Sequence, residues 1–282
     1  MSATAPALAS PRRRRTQPGW GSTAIGIAIL AVMLFPLYWM INVSLQPGGS
    51  AVGTPWVPIH VSFSGYSTAL SQQGRNLVTS LAVAIGSVVL SLLVATPAAY
   101  ALAHFKIRLS NFILFAILLS QMIPGIVIAN ALYTAYTDVG LLNSIPGLIL
   151  ADSTGGIPFA VLVIRAFMGN IPAEVVEAAR VDGAGHVRAF VSVVLPMSRN
   201  ALVTAGLFTF LFAWADFLFA LTLTTTEDVR PVTLGLYQYI GTYVNDWSAV
   251  MATAVLASIP AILLLVVAQR YVAVGTTAGA VK

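Results

Sequence analysis

Apolar residues in this chain gather into long unbroken runs, separated by shorter stretches rich in charge, proline or glycine. A bilayer core about 30 Å thick needs roughly 20 apolar residues per helical span. Runs of that order at residues 22–45, 76–103, 111–133, 145–168, 202–224 and 247–269 predict six spans. Helices are the expected form, because lipid offers the backbone no hydrogen-bond partner and the runs lack the alternation, over about ten residues, of a barrel strand. The fold class that follows is an all-α integral membrane protein, with a tail at 1–21, a six-helix membrane domain at 22–269 and a second tail at 270–282. Pro36, Pro97, Pro124 and Pro260 fall within spans, where each frees a backbone carbonyl and can bend its helix.

Composition removes the soluble alternative. Of the residues, 58% are hydrophobic and 8% charged, against about 25% charged in an ordinary soluble domain. The 14 basic residues set an orientation, since cytoplasmic loops carry an excess of Lys and Arg. With the N-terminus inside, Arg12 to Arg15, Lys106, Arg108, Arg165, Arg180, Arg188, Arg199, Arg270 and Lys282 lie inside, and only Arg75 and Arg230 outside. Both termini are therefore expected in the cytoplasm. The run after Arg12 to Arg15 is too long for a signal h-region and lacks an Ala-x-Ala site, so it reads as a retained first helix. Those arginines serve topology or, alternatively, bind anionic lipid headgroups. With no cysteine, disulfides, thiolate catalysis and Cys-based metal sites are excluded together.

Residues 46–75, with Pro47, Gly48, Gly49, Pro55, Pro58 and Gly65, read as an external loop with room for a short interfacial helix. Trp56 and Tyr66 in that loop, and Tyr237, Tyr239, Tyr243 and Trp247 before the last span, suit the membrane surface. Inside, residues 169–200 form an unusually long connection between spans 4 and 5. Asn170 can cap a helix there, Pro172 suits its first turn, Glu174 complements the dipole, and Gly183 and Gly185 end it after about three turns. Val176, Ala179 and Gly183 share one face whose small side chains permit close approach. Glu174 and Glu177 beside that face could pair with a partner's Arg, while Arg180, Asp182 and Arg188 could pair locally. Spacing leaves two readings open: docking onto a partner, or packing on the bilayer or on the chain's own bundle.

Glu177-Ala178-Ala179, then Gly183, then Val193, Leu195 and Pro196 resemble the EAA loop of ATP-binding-cassette importer permeases, with Val193 where isoleucine is common. Ile171-Pro172, Asp182-Gly183-Ala184 and the ending from Gln269-Arg270 to Lys282 resemble the carbohydrate branch, similar to the second maltose-type permease. The resemblance implies a coupling helix between spans 4 and 5 that sits in a cleft of an ATPase. Glu174, Glu177 and Asp182 would then lie at that interface, Ala178, Ala179 and Gly183 would allow close approach, and Leu195 and Pro196 would lead back into span 5. It implies further that a tail including Gly275, Thr276, Gly279 and Lys282 reaches the ATPase. The implied partners are a second permease, an ATPase dimer that binds ATP and Mg, an extracytoplasmic solute-binding protein and membrane lipid, in a bacterial-type inner membrane. One departure is Trp214-Ala215-Asp216-Phe217, where Ala215 stands for the asparagine usual in that branch.

The chain has no G-x-x-x-x-G-K-[ST] phosphate loop and only two lysines, Lys106 and Lys282, so a partner must bind the nucleotide. No cofactor, metal site or nucleic-acid partner is expected in it. An ionisable group near a helix centre costs on the order of 2.5–3.5 kcal/mol and marks a cavity or a paired interior. Asp216 leads by that rule, either on a solute path or in a helix contact. Gln121, Asn130, Tyr133, Asp152 and Trp214 are further candidates, because sugars are held by aromatic faces and by amide or carboxylate hydrogen bonds. A sugar, as an oligosaccharide or disaccharide, is the expected solute, with glycerol-phosphate or another polyol derivative as the alternative. An ion-coupled carrier would need more buried ionisable groups and an internal repeat. An intramembrane hydrolase would need a catalytic constellation at depth, whereas His60, His104 and His186 all fall outside the spans. His104, beside Lys106, reads as an interfacial residue.

Overall fold

The structure, a computed structural model, describes residues 20–48, 53–242 and 246–277, with the side chains of 238–242 and 272–277 outside that description. Arg12 to Arg15, Tyr243, Gly279 and Lys282 lie outside the described residues, and Gly275 and Thr276 enter only as helical backbone.

The first apolar run forms α1 (Trp20–Ser44), whose side chains stay largely exposed until Asn42, Val43 and Ser44 at its end are buried. Its end is tied to the following loop: Asn42 Nδ2 donates to the Pro55 carbonyl at 2.8 Å, and Trp56 packs on Phe35 and Trp39. Next comes α2 (Ser64–His104), which begins well before the expected residue 76. The expectation of a loop to residue 75 is thereby corrected. Gly65, Ala69, Gln73 and Asn76 recur at helical spacing and are all buried, but they are small or polar and leave no apolar run to read. At 1.5 Å per residue the 41 residues of α2 extend about 61 Å, so its first turns project beyond a core of about 30 Å.

The third run is not one helix. α3 (Ser110–Ser120) and α4 (Gly125–Val139) meet at 91° across Gln121 to Pro124. Pro124 has no N–H to continue the helix, and its own ψ of 132° is extended. α5 (Ile145–Met168) matches its run and carries Ser144 as N-cap, accepting from Gly147 N at 3.1 Å. Pro158 lies inside it, a helix proline beyond those expected. After α6 (Ala173–Val181), the chain passes through α7 (His186–Ala189), a π-helical turn at Phe190–Val194 and α8 (Leu195–Met197) into α9 (Arg199–Trp214), bent by 75° from the preceding segment. The fifth run also breaks: α9 stops at Trp214 and a short α10 (Leu218–Leu223) follows. α11 (Val232–Thr242) and α12 (Trp247–Thr277) complete the described helices.

Among the described residues four helices are long and apolar enough to cross a membrane, or up to six if each bent pair counts as one span. α2 and α5 form the centre, with α9 and α12 packed around them. Small residues let them approach: a Cβ on Gly156 of α5 would lie 2.6 Å from Ser91 Oγ of α2 and 2.8 Å from Thr209 Cγ2 of α9. Ala84, Ala95 and Ala99 of α2 and Ala151 and Ala160 of α5 are fully buried. Close backbone approach of this kind supplies dispersion contacts where lipid removes any hydrophobic drive.

Candidate functional site

Two regions gather the residues singled out by sequence. At one end of the bundle, α6 is held by one face and free on the other. Val176 is buried, and Ala179 packs with it against a core that includes Met168, Ala189 and Val194. The small-residue face is thus packed on the chain's own bundle at Val176 and, in part, at Ala179. Glu174, Glu177, Ala178, Arg180 and Asp182 are exposed, and Val181 is 87% exposed. Glu177, Arg180, Val181, Gly183, Gly185 and His186 border an open notch of about 630 Å³. Leu195 is half-buried and Pro196 exposed, where the chain turns toward α9.

The ends of α6 differ from expectation at one side only. Asn170 does not cap it; its Nδ2 donates to the Ala166 carbonyl at 3.0 Å and so closes α5, while Pro172 occupies the N-cap position without a side-chain bond. Gly183, at φ +88°, does end it. The Gly183 amide donates to Arg180 O at 3.1 Å and the Ala184 amide to Ala179 O at 3.0 Å, the paired bonds of a Schellman motif. Among the described residues no ion pair joins Arg180, Asp182 and Arg188, so the expected local pairing is absent; the ion pair the described residues do contain, Glu227 with Arg230 at 3.3 Å, lies between α10 and α11.

An aromatic cluster that the sequence did not signal connects this region to α2. Phe105 lies edge-on to His186 at 5.5 Å, and Tyr100 contacts Phe190 at 4.8 Å, Phe105 at 5.5 Å and His104 at 5.2 Å. His104 is therefore packed into the cluster at the end of α2, with a buried Nε2 that has no hydrogen-bond partner among the described residues. Movement of the α6–α7 segment cannot leave α2 behind without separating these rings.

The second region is a cavity of about 290 Å³ where the α3–α4 break meets the α9–α10 break. Its polar lining is Ser120, Gln121, Asp152, Thr154 and Asp216, against an apolar wall of Ile123, Ile128, Phe212 and Phe219. Of the six path candidates it unites Gln121, Asp152 and Asp216. Asn130 and Tyr133 are exposed on α4, outside the lining. Trp214 is buried elsewhere: its Nε1 donates to the Ala257 carbonyl of α12 at 3.0 Å and its ring stacks on Phe210 at 5.6 Å, so its role here is to join α9 to α12.

Asp216 and Asp152 are situated differently. The Asp216 carboxylate accepts from the amides of Phe219 at 3.2 Å and Ala220 at 3.0 Å, closing the free N-terminus of α10. Asp152 is 9% exposed, borders the cavity and has no hydrogen-bond partner among the described residues. Among the described residues no basic side chain lines it. Ser120, Thr154, Phe212 and Phe219 carry no sequence signal as path residues, because only the two helix breaks bring them together. Among the described residues no cluster of His, Asp or Glu could hold a metal.

Comparison with known proteins gives a consistent set of likenesses. A family model described as binding-protein-dependent transport system inner membrane component matches residues 87–276. Over 260 residues the chain is 30% identical to the diacetylchitobiose uptake system permease protein DasC of Streptomyces coelicolor, covering 91% of this chain and 94% of that one. It is also 30% identical over 258 residues to the trehalose transport system permease protein SugB of Mycobacterium tuberculosis, covering 90% and 94%. In fold it is similar to a chain in the crystal structure of a bacterial ABC transporter involved in the import of the acidic polysaccharide alginate, with a TM-score of 0.75, 24% identity, and 89% and 94% of the two chains covered.

Proposed function

The chain belongs to the family of binding-protein-dependent transport system inner membrane components, the permeases of ABC importers, and from that premise we propose that it forms, with a second permease, the path for a neutral, hydroxyl-rich sugar. Six spans with both termini inside are the topology of this reading, with α3 and α4 together as the third and α9 and α10 together as the fifth. A partner ATPase dimer binds ATP and Mg, a solute-binding protein delivers the sugar outside, and the tail from Gly275 to Lys282 lies toward the ATPase.

The observation that carries this reading is the state of α6. Burial of Val176, which is worth about 1.5–3 kcal/mol, fastens one face to the bundle, while Val181 is exposed and Glu177 and Arg180 project without an ion-pair partner among the described residues. A helix so held is a handle. An ATPase cleft that grips its outer edge moves α6, and the Phe105–His186 and Tyr100–Phe190 contacts transmit the displacement to α2. ATP binding then favours one of two bundle arrangements, open outward or inward.

The cavity supports the solute class. The Asp152 and Asp216 carboxyl groups can exchange hydrogen bonds with hydroxyls, and the Gln121 amide can donate or accept. A negative solute would find no basic side chain among the described residues of the lining, and a charge taken out of water without a partner is costly. That argues against glycerol-phosphate as cargo.

Affinity purification from the native membrane tests the assembly. The wild-type chain is expected to bring down an ATPase, a second permease and a solute-binding protein. Glu177→Ala is expected to leave the chain in the membrane and to lose most of the ATPase. Normal ATPase retention and transport in that variant would end the role given to Glu177. Recovery of the wild-type chain without any ATPase would end the importer reading itself.

A further inference from the structure

Apart from the cavity at Asp216, a groove of about 680 Å³ runs between α2, α9 and α12. Its walls are almost wholly apolar, with Leu81 and Ile85 from α2, Leu202 and Phe210 from α9, and Leu263 and Ala268 from α12.

The groove covers Leu202 to Phe210 on α9 and Pro260 to Ala268 on α12, about 12 Å along each axis at 1.5 Å per residue. That is close to one leaflet of a hydrocarbon core about 30 Å thick. A spanning helix from another subunit would need a groove of the full depth, whereas an acyl chain of one leaflet needs this length. One turn beyond Leu202 and Ala268 stand Arg199 and Tyr271, at the end from which α6 hangs. Arg199 Nη2 donates to the Tyr271 hydroxyl at 3.1 Å, and the guanidinium carbons of Arg199 and Arg270 lie 5.1 and 4.8 Å from the Tyr271 ring centre.

Two guanidiniums drawn to one ring repel each other. All nine acidic side chains of the chain are among the described residues, and none lies within 4 Å of either arginine. No side chain of this protein therefore supplies the counter-charge. An apolar slot one leaflet long, ending in an unneutralised arginine pair, is complementary to a phosphate headgroup with an attached acyl chain. We infer that Arg199 and Arg270, with the α2–α9–α12 groove, bind one anionic glycerophospholipid, which braces α9 against α12 beside the segment that leads to α6.

Native mass spectrometry of the full chain tests this, with dioleoyl phosphatidylglycerol and dioleoyl phosphatidylcholine as probes in mixed micelles. The wild-type chain is expected to prefer phosphatidylglycerol. In the Arg199→Gln/Arg270→Gln variant its affinity is expected to fall about thirtyfold, the contribution of two basic residues near an anionic surface, with phosphatidylcholine binding unchanged. That unchanged binding is the control for folding. Gly206→Leu is expected to weaken both lipids: a Cβ there makes only ordinary contacts, 3.4 Å to Leu92 and 3.5 Å to Val88, and the rest of the side chain fills the groove. Equal binding of the two lipids by the wild type, or a preference that survives in the double arginine variant, overturns the site. So does cross-linking of Leu263→Cys to another protein's helix in the native membrane, which would show the groove filled by protein.

Discussion

At the scale of single residues, Asp216 shows how one carboxylate can serve structure and path together. Sequence left its role open between solute contact and helix contact, and the geometry shows it capping α10 while bordering the cavity. Two substitutions separate these roles. Asp216→Asn keeps an acceptor oxygen for α10 but removes the charge, and is expected to lower solute-stimulated ATP hydrolysis in the assembled importer without loss of the chain. Asp216→Ala removes the cap as well, and thermal unfolding is expected to show an added cost of about 0.5–2 kcal/mol. Equal unfolding temperatures for the two variants would refute the cap. Trp214 was equally conspicuous in the sequence, yet its bond to Ala257 places it in helix packing. An aromatic side chain in a span reads alike from sequence whether it faces a cavity or a neighbouring helix.

Among the elements, α6 was the most legible. Its glycine stop, acidic first turn and short length all follow from local rules, which need no knowledge of neighbours. Gly183→Ala is expected to disturb its end through the backbone alone, since a Cβ there meets nothing within 4 Å but φ is +88°. At about 1–2 kcal/mol for a left-handed non-glycine residue, hydrogen exchange of the amides at 183 and 184 is expected to quicken roughly tenfold; unchanged protection would show that the Schellman bonds do not hold this end. The broken spans were less legible. Pro124 was noted as a bend, but a proline can also be accommodated inside a continuous helix, as Pro36, Pro97, Pro158 and Pro260 are. Only the packing of α4 with α10 decides that the chain turns fully at Pro124.

For the whole molecule, orientation rests on the distribution of basic residues, and the absence of cysteine makes it directly measurable. Val187→Cys, at a position 76% exposed near α6, is expected to react with an impermeant maleimide only after the membrane is opened. Ile59→Cys, at a position 75% exposed in the loop after α1, is expected to react in intact cells. The reverse pattern would invert the topology. The same scale explains why α1 is so little buried by its own chain apart from its end: an apolar helix is stable in lipid without a protein partner, because its backbone bonds are satisfied internally.

Sequence by itself determined that the chain is helical and membrane-spanning, and it located the α6 segment, because bilayer thickness, backbone satisfaction and capping act on runs of adjacent residues. Tertiary structure alone decided which polar residues share a cavity, that Val176 and Ala179 face the bundle, and that Arg199 and Arg270 converge on Tyr271. Those are relations between residues far apart in the chain, set by how helices cross and where they break, and no local pattern encodes them.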